Sequence, residues 1–169
     1  AVIGTGKNGL LISQVYDAFG AEVFLVGKNR WHLGAARKMG LRNTVDSSNA
    51  TWKDRILSNT DNIGPRVVID ATGNANGIQT AIELVRNGGI VVLTDHYGDT
   101  IEVDPNEYVE RDLQFVASSG YDFKRAIELL SKGRIEVREM LSAKYTLEEG
   151  VKAFEAAIDS KTVKVNINI

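Results

Sequence analysis

The chain has 169 residues, of which 43% are hydrophobic and 25% charged, and its formal net charge is −2. These values are typical of one ordinary globular domain, and the mixed charges argue against a basic face for nucleic acid or anionic membranes. The sequence contains no cysteine, which excludes a disulfide framework and a cysteine-based zinc site within these residues. No apolar run approaches the roughly 20 residues of a membrane helix. We expect a cytoplasmic protein without a signal peptide or membrane anchor.

Short apolar segments alternate with helical patterns along the first 118 residues. Strands are predicted at 1–3, 22–26, 43–45, 66–71, 90–94 and 112–118, and helices at 9–19, 31–39, 51–58 and 78–86. Residues 95–111 show no regular pattern. The alternation predicts an α/β Rossmann fold, a doubly wound parallel sheet of six strands in the order 3-2-1-4-5-6 with helices on both faces.

The pattern changes after residue 118. An amphipathic helix is predicted at 123–132, a capping box at Thr146 and Glu149 opens a helix that ends near residue 158, and a strand follows at 163–169. Because six strands already complete the sheet, we assign residues 1–120 to one domain and expect residues 121–169 to belong partly to a neighbouring domain. The first strand is shorter than the usual five or six residues, so we expect this sequence to be a fragment.

The first strand runs directly into Gly4-Thr5-Gly6-Lys7-Asn8-Gly9. A strand, the spacing Gly-x-Gly-x-x-Gly and a helix in succession predict the dinucleotide-binding turn. Gly4 allows the tight turn, Gly6 lets the backbone approach a pyrophosphate, and Gly9 lets the helix pack closely on the strand. The N–H groups around Lys7, Asn8 and Gly9 would then face the phosphates. The alternative is a purely structural glycine turn, which the flanking strands disfavour.

Gly27 directly follows the second strand, at the place where such folds usually carry an acid that binds the adenosine ribose of NAD. Lys28, Asn29 and Arg30 follow. Without the carboxylate, a 2′-phosphate meets no repulsion, and two cations would attract it. We therefore predict NADP as the cofactor, with NAD as the alternative. In the competing interpretation, Lys28 and Arg30 are ordinary solvated loop charges.

Further motifs occur in a fixed order along the chain, at residues 2–9, 35–40, 68–73, 84–89 and 145–154. Together they resemble the medium-chain dehydrogenase/reductase family, in its zinc-type alcohol, polyol and threonine dehydrogenase branch. The resemblance covers essentially all residues. It implies the cofactor-binding portion of an NAD(P)-dependent oxidoreductase that transfers hydride between nicotinamide and an alcohol or carbonyl.

The same resemblance places the catalytic zinc and the substrate in a domain that lies N-terminal to this sequence. Residues 1–120 would then be the NAD(P)-binding Rossmann domain, and residues 121–169 would complete, or pack on, that N-terminal substrate domain. The resemblance therefore implies that no residue of the chain is catalytic or binds metal, that the chain alone is inactive, and that the full-length protein forms a homo-oligomer. The alternative is a stand-alone dinucleotide-binding or sensing module without chemistry. The family-like tail favours the enzyme.

Several other cofactor contacts follow from the resemblance. His32 falls where relatives often carry a basic residue against the adenine, although a histidine in the first turn of a helix is an equal alternative. Ala71, Thr72 and Gly73 end the fourth strand at the edge that the cofactor crosses. Ser118 would border the nicotinamide carboxamide, and Lys164 matches a basic position that reaches the pyrophosphate.

The segment Thr94-Asp95-His96 ends the fifth strand, where the family usually has a glycine-containing turn against the nicotinamide. Asp95 replaces the expected glycine. A catalytic Asp95–His96 pair is conceivable because histidine is a common acid and base. Since the proton path of the family belongs to the other domain, we expect His96 to line the pocket instead.

A set of carboxylates could be imagined as metal ligands, but none has ligand spacing with a histidine. We expect solvated or capping roles for them. The set is Asp70, Asp99, Asp104, Glu107, Glu110 and Asp112.

Overall fold

The computed structural model describes residues 1–98 and 100–169. In these residues the strands are β1 (Val2–Ile3), β2 (Phe24–Gly27), β3 (Asn43–Asp46), β4 (Val67–Asp70), β5 (Ile90–Leu93), β6 (Gln114–Ala117), β7 (Leu141–Thr146) and β8 (Lys164–Asn168). The helices are α1 (Lys7–Ala18), α2 (Arg30–Lys38), α3 (Trp52–Leu57), α4 (Ala75–Leu84), α5 (Pro105–Glu110), α6 (Phe123–Ser131) and α7 (Gly150–Ile158). Short 3-10 turns precede β7 and α7.

The first six strands form one parallel sheet in the order β3-β2-β1-β4-β5-β6. This is the predicted Rossmann order, so the fold prediction is confirmed. The chain crosses from one half of the sheet to the other between β3 and β4, which makes β1 and β4 neighbours. The connections after these two strands lead to helices on opposite faces, α1 and α4, and the point where they diverge is the crevice in which such folds bind ligands.

Alternate residues of the central strands enter two different cores. Ile3, Val26 and Val68 point to the face that α3 and α4 cover, whereas Val2 and Ile69 point to the opposite face, which contains Leu10 of α1 and Ala36 of α2. Both faces are therefore buried. This is why the strands are continuous apolar runs and do not alternate with polar residues.

One helix and one strand of the structure were not predicted from the sequence. Helix α5 lies in the stretch that was expected to be irregular, although its start carries an ordinary signal: the Asp104 side chain accepts the Asn106 N–H at 2.9 Å, and Pro105 occupies the first turn. Strand β7 was also missed. Helices α1 and α4 begin two and three residues before their predicted starts at residues 9 and 78.

The tail builds a second, two-stranded parallel sheet in which α7 connects β7 to β8. Its capping box is formed as predicted, with the Thr146 N–H donating to Glu149. The tail is joined to α1 by Gln14, whose side chain exchanges two hydrogen bonds with the Glu136 backbone at 3.0 and 2.7 Å. The assignment of residues 121–169 to another domain stays a prediction.

None of the helices within residues 1–98 and 100–169 is long and apolar enough to cross a bilayer.

Candidate dinucleotide-binding site

The glycine turn between β1 and α1 has the backbone geometry that its spacing predicts. Gly4 has φ +110°, and its N–H donates to the Val26 carbonyl at 2.9 Å. A Cβ on Gly4 would lie 2.7 Å from the Ala71 carbonyl oxygen, and one on Gly9 would lie 1.9 Å from the Gly4 oxygen. These two glycines are therefore required by the protein's own packing.

Gly6 differs from its two neighbours in the motif, because a Cβ there would have no protein atom within 4 Å. It is also the N-cap of α1 and provides no side-chain acceptor. The caps of α2 and α4, by contrast, are Asn29 and Asn74, whose side chains do accept backbone N–H groups. The start of α1 thus combines open space, uncapped N–H groups and the positive end of a helix dipole, which suits a phosphate.

A cleft of about 520 Å³ lies next to this turn, at the carboxyl ends of β1, β2 and β4. Six of the predicted site residues line it: Gly4, Thr5, Gly27, Lys28, Asn29 and Thr72. Eight others were not predicted: Ile3, Val26, Ser47, Trp52, Asn74, Asn76, Gly77 and Thr80. A second cavity, of about 370 Å³, opens around Ala1, Phe24 and Val67 at the amino ends of the strands and contains none of the predicted residues.

Ser47 and Asn74 could have been found from the sequence. Ser47 directly follows the carboxyl end of β3, and Asn74 lies in the short connection between β4 and α4, where Asn before a helix is a common N-cap. Trp52, Asn76 and Thr80 lie on the cleft-facing sides of α3 and α4, and no local pattern marks those sides.

The end of β2 carries no acid, and its neighbours are exposed cations. Gly27 pairs with Asp46 of β3, and Lys28 and Arg30 are both exposed. The side chain of Asn29 is engaged, since its Oδ1 accepts the N–H groups of the first turn of α2. Hydrogen bonds from Ser48, followed by the charge of Arg30, lower the pKa of Asp46. One of the two candidate cations therefore has a carboxylate nearby.

The loop after α7 packs on this same segment. The Asn29 amide donates to the Ser160 carbonyl, and His32 Nε2 lies 3.1 Å from the Thr162 carbonyl oxygen. Because a carbonyl can only accept, His32 must carry its proton on Nε2. Lys161 lies over the Trp31 ring at 5.3 Å. In this structure the His32 ring anchors the tail, and its adenine contact stays a prediction.

A buried polar network occupies the end of β4. Asp70 is fully buried, and it accepts hydrogen bonds from the Thr72 hydroxyl at 2.8 Å and from the Tyr97 hydroxyl at 2.6 Å. The expected solvated or capping role of Asp70 is therefore wrong. A Cβ on Gly77 would lie 2.0 Å from the Thr72 hydroxyl oxygen, so this glycine makes room for the network. Because Asp70 ends an apolar strand, the sequence pattern did not indicate this buried hydrogen-bonding role.

The predicted nicotinamide-side residues lie at the ends of β4, β5 and β6. The Thr94 hydroxyl donates to the Asp70 carbonyl at 2.8 Å, and Gly73 lies beside the Asp95 carboxylate. Asp95 Oδ1 accepts the His96 backbone N–H at 2.9 Å, so the two residues interact through the main chain. Ser118 is exposed just after β6. Their cofactor contacts stay predictions.

Ala71, the remaining predicted residue at this edge, is buried, and its N–H donates to the Ile3 carbonyl at 2.8 Å. Lys164 is exposed on β8, where it borders a cavity of about 270 Å³ together with Leu11 and Met140. Its pyrophosphate contact also stays a prediction.

The described residues contain no group of three side chains that could hold a metal ion. Asp104 caps α5, and Glu107 forms an ion pair of 2.7 Å with Arg111. Asp99, which was also considered as a ligand, lies outside the described residues.

Known proteins share this fold. The profile of the family described as "Zinc-binding dehydrogenase" matches residues 9–132. The chain belongs to this zinc-binding dehydrogenase family. The prediction of an alcohol-dehydrogenase-like oxidoreductase family with a Rossmann fold is thereby confirmed.

Individual relatives agree with this family. The D-arabitol-phosphate dehydrogenase of Enterococcus avium is 28% identical over 172 residues, covering 98% of this chain and 49% of the relative. A Sinorhizobium meliloti structure described as a zinc-binding dehydrogenase bound to NADP is 27% identical, with a TM-score of 0.88, 99% of this chain and 51% of that one. An Escherichia coli alcohol dehydrogenase complexed with NADH shares the fold, at 22% identity, a TM-score of 0.87, 99% of this chain and 51% of that one. The chain therefore spans about half the length of such relatives.

Proposed function

We propose that this chain is the cofactor-binding part of an NADP-dependent alcohol or polyol dehydrogenase. The observation that carries the proposal is the contrast within the glycine turn: Gly4 and Gly9 pack against protein, while Gly6 faces open space at the uncapped start of α1. At the start of a helix that follows a strand in this spacing, a glycine without such a packing contact leaves room for a phosphate to approach the backbone.

The preference for NADP rests on the end of β2. Gly27 offers no carboxylate to a ribose diol, and Lys28 and Arg30 are exposed beside it. Arginine suits a phosphate because its planar guanidinium presents several donors in a fixed fork. Asp46 partly offsets the charge of Arg30, so Lys28 is the cation with less competition. Among the structural relatives, one is bound to NADP and another to NADH.

When bound, the nicotinamide supplies or accepts the hydride, and the protein contributes binding and orientation. In this chain the start of α1 would hold the pyrophosphate. The ends of β4 and β5 would border the nicotinamide half, with Thr94 fixed to the Asp70 backbone and Asp95 next to Gly73. No residue of the chain is assigned to the proton or the zinc, which we place in an N-terminal domain. The substrate would be an alcohol or carbonyl compound of the polyol class, to judge from relatives such as D-arabitol-phosphate dehydrogenase.

A stand-alone nucleotide-binding module is the alternative, and the tail argues against it. Phe154 and Ile158 of α7 are 73% and 85% exposed, and Phe123 and Ile127 of α6 are 69% and 64% exposed. Apolar surface of this kind marks contact with further protein. We propose that it faces the rest of the dehydrogenase. We also propose that the complete protein is a cytoplasmic homo-oligomer.

The cofactor proposal is tested by titrating the 169-residue chain with NADPH and with NADH in a calorimeter. We expect NADPH to bind at least about tenfold more tightly, since hydrogen bonds to a charged group contribute about 1.5–3 kcal/mol. Replacing Lys28 and Arg30 by alanine should remove the difference, whereas Lys124→Ala, an exposed cation on α6, should not. Equal affinities, or a preference for NADH, would overturn the NADP assignment.

A further inference from the structure

The side chain of Thr5 lies against the bare α-carbon of Gly27. A Cβ built on Gly27 would lie 2.5 Å from Thr5 Cγ2, 2.7 Å from Oγ1 and 3.1 Å from Cβ. Nonbonded contacts shorter than 3.0 Å are essentially never observed for Cβ atoms in proteins. Gly27 is not among the glycines with positive φ, so its backbone suits any L-residue. What excludes a side chain at position 27 is therefore Thr5.

Neither partner of this contact can move away easily. Thr5 is 6% exposed and β-branched, which limits it to few rotamers. Gly27 lies in the sheet ladder opposite Asp46, and its carbonyl accepts the Ser47 N–H at 3.0 Å. A side chain at position 27 would thus be forced against fixed atoms, and overpacking of this kind destabilises folded proteins.

We propose that Thr5 is a specificity-determining residue of the cofactor site, because its side chain keeps position 27 free of any side chain and hence of a carboxylate. The choice between a ribose diol and a 2′-phosphate is then encoded by the pair of positions 5 and 27, and not by position 27 alone. This inference rests on the proposed function for its meaning in cofactor choice, although the steric coupling of the two residues does not depend on it.

The coupling predicts that an acid at position 27 requires a smaller residue at position 5. Alanine there removes the two nearest atoms, Cγ2 and Oγ1, and leaves only the Cβ contact at 3.1 Å. A shift of a few tenths of an ångström would relieve that contact. Valine has the shape of threonine, with a methyl group in place of the hydroxyl, and would still exclude a side chain from position 27.

The test is a double-mutant cycle over Thr5→Ala and Gly27→Asp, with the melting temperature and the dissociation constants for NADPH and NADH measured for each protein. Gly27→Asp alone should lower the melting temperature by about 5 °C and weaken both cofactors. The double variant should recover most of that loss and bind NADH at least about tenfold more tightly than the single variant. The matched control Thr5→Val with Gly27→Asp should remain as impaired as the single variant.

If Gly27→Asp does not fold, Gly27→Ala places the same Cβ without the charge and is carried through the same cycle. The proposal is overturned if the single variant melts and binds NADH like the double variant, or if Thr5→Val rescues as well as Thr5→Ala. A wild-type chain that binds NADH as tightly as NADPH would instead remove the proposed NADP preference, while the non-additive melting temperatures would still test the coupling.

Discussion

Two neighbouring parts of the candidate site differ in how they would recognise a cofactor. In the turn between β1 and α1, recognition is built from the backbone: the uncapped start of the helix follows two glycines, and Gly6 faces empty space. At the end of β2, the proposed recognition depends on side chains, namely the exposed cations Lys28 and Arg30 next to Gly27. The first part would suit any dinucleotide, because every one has a pyrophosphate. The second is the part that we propose discriminates between NADP and NAD.

The comparison also separates what glycine does in the two places. Gly9 is needed by the fold and Gly27 by the side chain of Thr5, whereas Gly6 faces open space that we propose a ligand fills. Glycine therefore occupies these three positions for three different physical reasons, and substitutions can distinguish between them.

The largest effect is expected for Gly9→Ala, because its new Cβ would lie 1.9 Å from the Gly4 oxygen. We expect a loss of stability of about 3 kcal/mol, which corresponds to a fall of about 10 °C in melting temperature for a chain of this size. The control is Gly34→Ala in α2, where a Cβ meets nothing within 4 Å. That change should stabilise the helix by up to about 1 kcal/mol. Similar melting curves for the two variants would show that the turn is less tightly packed than described.

Gly6→Val should give the opposite result, a loss of binding without a loss of fold. The branched side chain would fill the open space over the start of α1, where the pyrophosphate oxygens are expected. We expect binding to weaken by more than about 2 kcal/mol, or about 30-fold, because several charge-assisted hydrogen bonds are lost together. The melting temperature and an NADPH titration are measured on the same sample. A large fall in melting temperature, with normal binding by the folded fraction, would mean that Gly6 serves the turn alone.

A smaller loss of stability is expected when a single side-chain hydrogen bond within the site is removed. Tyr97→Phe removes a hydroxyl that donates to the fully buried Asp70, and it should cost about 1–3 kcal/mol in urea or thermal unfolding. Tyr121→Phe, at an 85% exposed tyrosine, serves as the control and should change little. An equal loss in both variants would contradict a role for the buried hydrogen bond.

Tyr97 also predicts that the stability of the fold depends on pH. Burial, followed by the hydrogen bond to Asp70, raises the pKa of Tyr97 above its usual value. The folded state then holds this proton more tightly than the unfolded state, so the stabilisation is complete below a pH of about 10 and declines above it. Unfolding measured between pH 9 and pH 11 should show a shallower decline in Tyr97→Phe. A decline as steep as that of the wild type would exclude Tyr97 as its source.

The backbone part of the site could be predicted from the sequence, because the spacing of Gly4, Gly6 and Gly9 between a strand and a helix has a direct steric meaning. The sheet order followed equally from the alternation of elements. The network around Asp70 could not, since its partner Tyr97 is 27 residues away and only the folded chain joins them. The contact of Thr5 with Gly27 was hidden for the same reason. Strand β7 was missed because its partner, β8, lies beyond a whole helix.

The smallest effects should come from Asn29, where capping and charge can be separated. Its Oδ1 accepts the Trp31 and His32 N–H groups at 3.0 and 3.3 Å, and its amide donates to the Ser160 carbonyl. Asn29→Ala removes the cap and should cost about 1 kcal/mol of stability, with little change in the ratio of NADPH to NADH affinity. Asn29→Asp keeps the acceptor and suits the helix dipole, so its stability should fall by less.

The aspartate variant, however, places a negative charge between Lys28 and Arg30. If those cations discriminate between the cofactors, NADPH affinity should fall several-fold at low salt while NADH affinity holds, and added salt should shrink the difference. Calorimetry at two salt concentrations measures both effects. If Asn29→Asp and Asn29→Ala change the two affinities in the same ratio, the charges at the end of β2 do not read the 2′-position. The residues that distinguish NADPH from NADH would then have to lie elsewhere along the cleft.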